Sequence, residues 1–75
     1  QIAGLNTGYT HVVTRPGTGA SVSFWYFKDD QLLAVDAMND PRAYMVGKRL
    51  IDMGKTCDPK VAADPETDLK SLLKA

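Results

Sequence analysis

One histidine, one cysteine and nine carboxylates are the residues of this 75-residue chain with the chemistry for catalysis or metal binding. His11 and Cys57 make a nucleophile and base only with a third group to orient the imidazole, and no such group stands at a recognisable spacing. A metal site needs three or four converging ligands, more than one His and one Cys supply. Asp36 and Asp40 resemble a pair of acid–base carboxylates, yet a strand end and a helix N-cap account for both. Gly4-x-x-x-Gly8 and Gly17-Thr18-Gly19 lack the strand–turn–helix context of a dinucleotide or phosphate loop, and read as turn glycines. The run Phe24-Trp25-Tyr26-Phe27 has the ring surface to stack bases or a flavin, and core packing explains it as well. The residues thus predict no catalytic residue, no metal ligand and no cofactor-binding residue in this chain.

Composition narrows the classes further. Nine Lys and Arg balance nine Asp and Glu, and no stretch concentrates positive charge as a phosphate-binding surface must, which argues against nucleic acid. The longest apolar runs are four residues, such as Phe24 to Phe27, against about 20 for a membrane span. A lone cysteine permits no internal disulfide and points to a reducing, cytoplasmic setting. With 44% apolar residues in 75, one small core is expected, marginal alone and stabilised by a neighbour. Gln1 stands where an initiator methionine would, and strand-like alternation begins at once, so the chain is expected to start inside a longer polypeptide.

The elements that would carry these residues divide into strands and then helices. Gln1 to Leu5 reads as a short strand ended by Asn6, Thr7 and Gly8, and His11 to Arg15 as a second, stopped at Pro16. Ser21 to Lys28 is the strongest strand, with Val22, Phe24 and Tyr26 on one face and Ser23, Trp25 and Phe27 on the other. Both faces are apolar, so one is expected to meet helices and the other something outside the chain. Asp29-Asp30 turns the chain into Gln31 to Ala37, antiparallel to the strand before it. Asp40-Pro41 pairs an N-cap acceptor with a residue lacking N–H, which predicts a helix from there to about Met53, closed by Gly54. Its stripe of Ala43, Val46, Gly47 and Leu50 is made largely of small side chains, with Gly47 suited to close approach to a sheet. Asp58-Pro59 and Asp64-Pro65 repeat the start signal, giving a short Lys60 to Ala63 segment and a last helix from about Glu66 to Lys74. The class is α+β: a mainly antiparallel sheet of about four strands against one long and one or two short C-terminal helices.

Leu33-Ala-Val-Asp36-Ala-Met-Asn39-Asp-Pro41-Arg, continued by Val46-Gly-Lys-Arg-Leu50-Ile51, resembles the C-terminal domain of the FAD-dependent NAD(P)H ferredoxin reductases that serve Rieske dioxygenases and cytochromes P450. Gln1-Ile-Ala-Gly-Leu5, Gly8-Tyr9, Val12-Val-Thr-Arg15, Ser23-Phe24 and Asp68-Leu69-Lys70 match in the same order, so the resemblance spans nearly all of residues 1–75. Arg15-Pro16 departs from the family's usual Arg-Gly, which implies a differently shaped edge after that strand.

The resemblance implies a fragment that follows FAD- and NAD-binding domains in one parent chain, with FAD and NAD(P)H as cofactors of the parent. There a hydride from the nicotinamide reduces the flavin, which passes single electrons to a [2Fe–2S] ferredoxin. The C-terminal domain helps close the flavin region and dock the ferredoxin, and the family's tryptophan-bearing segment beside the flavin would precede Gln1. Ferredoxins of this kind are acidic. The resemblance therefore makes Lys70, in the segment matching the family's final helix, a partner-binding residue, with Gln1 a neutral contact at the same edge. Trp25, sharing a face with Ser23 rather than with Phe24, is the expected interdomain contact. The alternative is a stand-alone interaction or dimerisation module with no redox parent.

Overall fold

A computed structural model describes residues 2–5 and 7–74, the side chain of Lys74 excepted. Four strands, β1 (Ile2–Gly4), β2 (His11–Pro16), β3 (Val22–Lys28) and β4 (Gln31–Met38), form one antiparallel sheet in the order β1-β4-β3-β2. The helices α1 (Pro41–Asp52) and α2 (Pro59–Ala63) follow, and then a short 3-10 helix, α3 (Leu69–Lys74). The α+β class with a four-stranded antiparallel sheet and one long helix is as the sequence implies.

The strand-rich half obeys period-two patterning up to one break. Val13, Trp25, Val35 and Ala3 lie in one cross-strand row, as do His11, Phe27 and Leu32 in the next, and these rows face the helices. Between Leu32 and Ala34 the register shifts against Tyr26 and Phe27. The extra residue, Leu33, makes a bulge that lets Leu32 and Val35 both point into the core although they are three apart. Pro16 extends β2 rather than ending it, pairing with Val22. This costs no ladder bond, because β2 is an edge strand and proline's missing N–H faces no partner.

Helix α1 starts at Pro41, and the Asp40 carboxylate accepts from the Ala43 N–H at 3.1 Å. Gly54, with φ of 69°, takes the left-handed position after the helix that glycine reaches without a Cβ penalty. Ala43, Val46, Gly47 and Leu50 are buried against the sheet. A Cβ on Gly47 would stand 2.9 Å from Val35 Cβ and closer still to its Cγ1, so the glycine sets how near helix and sheet lie. Trp25, Phe27, Leu32, Val35, Leu50 and Leu69 form the bulk of one core.

The last element is shorter than expected: a 3-10 helix from Leu69, not a helix from about Glu66. Arg15 supplies the reason. The residue is 6% exposed, and its guanidinium donates to the carbonyls of Ala62 at 3.2 Å, Asp64 at 2.7 Å and Thr67, with a longer contact to Val61. A cation from β2 thus gathers the carbonyls at the C-terminal end of α2, where positive charge is favoured, together with that of Thr67, and the Asp64 carbonyl also accepts from the Thr67 N–H at 3.1 Å. Helical bonding resumes after Asp68, whose carboxylate accepts from the Lys70 N–H at 3.1 Å. Leu69 is buried, and Leu72 and Leu73 pack on the core beside it.

Candidate functional site

Two surfaces remain for partners once the core is assigned. The first is a groove of ≈ 660 Å³ between α1 and α3. Its apolar walls include Met45, Val46 and Leu73, and its rim carries Arg42, Arg49 and Lys70. The rim arises from helix spacing: Arg42, Met45 and Arg49 recur at three and four residues, so they form one outward stripe while Val46 and Leu50 turn inward. Met45 is 58% exposed. Lys48 and Asp52, one turn apart, form an ion pair at 3.0 Å, and none of the three rim cations takes part in it. Asp52, by a hydrogen bond and its charge, raises the Lys48 pKa. Arg42 also borders a second, smaller groove with Glu66 and Asp68, so the positive field belongs to the α1–α3 side.

The second surface is the sheet face away from the helices. Val12 and Thr14 of β2, Val22, Phe24 and Tyr26 of β3, and Ala34, Asp36 and Met38 of β4 share it by register. Tyr9 meets Tyr26 edge-on at 5.1 Å between centroids. Val22, Phe24 and Tyr26 are half-buried although no helix covers them, and Ile2, Val12 and Met38 are exposed. A contiguous apolar sheet face of this kind marks a contact surface.

The structure redistributes the residues expected at interfaces. Trp25 is fully buried on the helix side, and its indole N–H donates to Ser23 Oγ at 2.9 Å. Its expected role as an interdomain contact is therefore corrected: the face it shares with Ser23 is the core face, because that small hydroxyl both leaves room for the indole and satisfies it. The outward face is that of Val22, Phe24 and Tyr26. Lys70 is exposed on the groove rim. Gln1 lies outside the described residues. Arg42, Met45 and Arg49 were not singled out by sequence reasoning, although their helical spacing was legible once the inward stripe was known. His11 stacks on Phe27 at 5.5 Å between centroids, far in sequence from Cys57. Cys57 packs half-buried against the core, and burial, with the Asp58 charge second, pushes its thiol up to about 11.

A model of the Reductase C-terminal family matches residues 1–73. The chain belongs to this family. Among curated relatives of this reductase domain, the ferredoxin–NAD(P)(+) reductase of Sphingomonas sp is 33% identical over 75 residues, 97% of this chain and 18% of the relative. Rhodocoxin reductase of Rhodococcus erythropolis is 35% identical over 93% of this chain and 17% of its own length. The chain thus spans less than a fifth of the curated relatives it matches. The reductase in the covalent putidaredoxin reductase–putidaredoxin complex superposes with a TM-score of 0.88 over 97% of this chain and 18% of that one, at 27% identity. A ferredoxin reductase from Rhodopseudomonas palustris gives 0.83 over 93% of this chain and 18% of that one, at 30% identity.

The reductase C-terminal domain described here does not fit a flavin or nicotinamide cradle. Its described strands pair antiparallel, so no parallel strand feeds α1. The α1 N-terminus is taken by the Asp40 carboxylate, where a pyrophosphate would need free N–H groups. No hydride or electron step is assigned to these residues.

Proposed function

We propose that this chain is the C-terminal domain of a flavoprotein reductase that passes electrons from NAD(P)H through FAD to a [2Fe–2S] ferredoxin, and that it docks the ferredoxin through the α1–α3 groove. The rim of Arg42, Arg49 and Lys70 around an apolar floor carries the reading. The whole chain has no net charge, yet three cations that take part in no described ion pair gather on one groove and form a local field of the sign that draws an acidic partner. The exposed Met45 adds an adaptable apolar contact at the centre of that field. The family and the names of the relatives support the same partner class. The FAD- and NAD-binding domains would lie in the remainder of the parent, and the open sheet face would close against them beside the flavin region.

In the full parent, Lys70→Glu and Arg42→Glu should each slow ferredoxin reduction by about tenfold at low ionic strength, with the deficit shrinking as salt rises. Hydride transfer from the nicotinamide should be unchanged. Stopped-flow rates equal to wild type at low salt for both variants would remove the groove from the docking surface.

A further inference from the structure

On the open sheet face Asp36 is the charged side chain set among apolar residues, while Lys28 shares the face by alternation at the far, exposed end of β3. Asp36 lies on β4, a central strand, opposite Ile2 of β1 and Phe24 of β3. It is half-buried, and no described hydrogen bond or ion pair engages its carboxylate. On the same face Ala34 and Met38 flank it along β4, and Tyr26 stands opposite Ala34.

We infer that the surface covering this face is apolar and presents one Lys or Arg side chain to the Asp36 carboxylate, and that this surface belongs to the flavoprotein part of the parent reductase. The inference rests on the parent proposed above. Covering the face with hydrocarbon alone strips water from an ionised carboxylate and replaces it with nothing, which the apolar flanks do not offset. A second copy of this chain is a poor cover for the same reason. A two-fold pairing centred on β3 and β4 brings Asp36 toward its own copy, like charges across a gap of low dielectric. The curated relatives extend over four-fifths beyond the matched domain, so chain to supply the covering surface exists in them. Apolar contacts are non-directional and let a sheet slide over its cover. A central ion pair sets one register, and so fixes where α1 and α3 stand relative to the rest of the reductase.

Methionine oxidation in the full parent provides the test, because Met38 lies beside Asp36 on the sheet face and Met45 on the opposite side of the domain. In the wild type without ferredoxin, Met38 should oxidise about tenfold more slowly than Met45. Asp36→Leu and the near-isosteric Asp36→Asn should both remove that protection, by about tenfold, with Met45 unchanged as the sign of an intact domain. One Lys or Arg→Glu change elsewhere in the parent should restore protection in Asp36→Lys. Protection kept or increased in Asp36→Leu would overturn the ion pair while leaving the covered face standing. Met38 oxidised as fast as Met45 in the wild type would overturn the covered face, and the pairing with it.

Discussion

Single side chains settle two questions that composition left open. Cys57 is a lone thiol in a chain without a second cysteine, and its burial against the core raises it to about 11 from 9.0. A thiol raised in this way is neutral through the physiological range and a poor nucleophile. Alkylation of the folded domain near neutral pH should therefore be slower than that of the denatured chain, measured by mass spectrometry of the modified peptide. Keeping the thiol neutral contributes stability that is fully present below pH 9.0, the unfolded value, and is lost as pH rises through about 11. Alkylation as fast in the folded domain as in denaturant would show an exposed thiolate. Arg15 shows the opposite use of a polar group. A buried guanidinium without a carboxylate partner normally costs stability, yet here it donates to carbonyls at the end of α2 and along the turn that leads to α3.

At the scale of elements, the contact between α1 and the sheet sets the thickness of the domain. Gly47 should lose about 1 kcal/mol of helix propensity relative to alanine, so Gly47→Ala looks stabilising from the helix alone. The overlap of an added Cβ with Val35 reverses the sign. Overpacking of this kind costs about 1–3 kcal/mol, and Gly47→Ala should lower the midpoint of chemical denaturation followed by Trp25 fluorescence. Gly47→Ala paired with Val35→Ala should recover part of the loss, since the clashing methyl groups are then gone. A stabilised Gly47→Ala would mean that α1 can move away from the sheet at little cost. The α1 start at Pro41 and the stop at Gly54 were legible because cap chemistry is local. The shortening of the last helix was not, because its cause is a side chain from β2 more than forty residues earlier, reaching the Thr67 carbonyl.

For the molecule as a whole, the two candidate contact surfaces lie on opposite sides of the domain, the α1–α3 groove on one and the open sheet face on the other. The absence of a fit for pyrophosphate at α1 gives a direct expectation: the 75-residue domain, titrated with FAD and followed by flavin fluorescence, should show no saturable micromolar binding. Saturable binding would relocate part of the flavin site to this chain. The sequence alone determined the order of strands and helices, the caps of α1, the inward stripe on that helix and the two apolar faces of β3, because each depends on neighbours within a few residues. Which face of β3 became core was decided only by the tertiary structure. Alternation states that two faces differ and not which one a helix will cover, and Trp25 went inside because Ser23 could satisfy its indole N–H there. The groove rim was decided in the same way. Arg42 and Arg49 share a stripe by sequence, but Lys70 joins them only because Leu69 is buried and Leu73 packs beside it, holding α3 against α1.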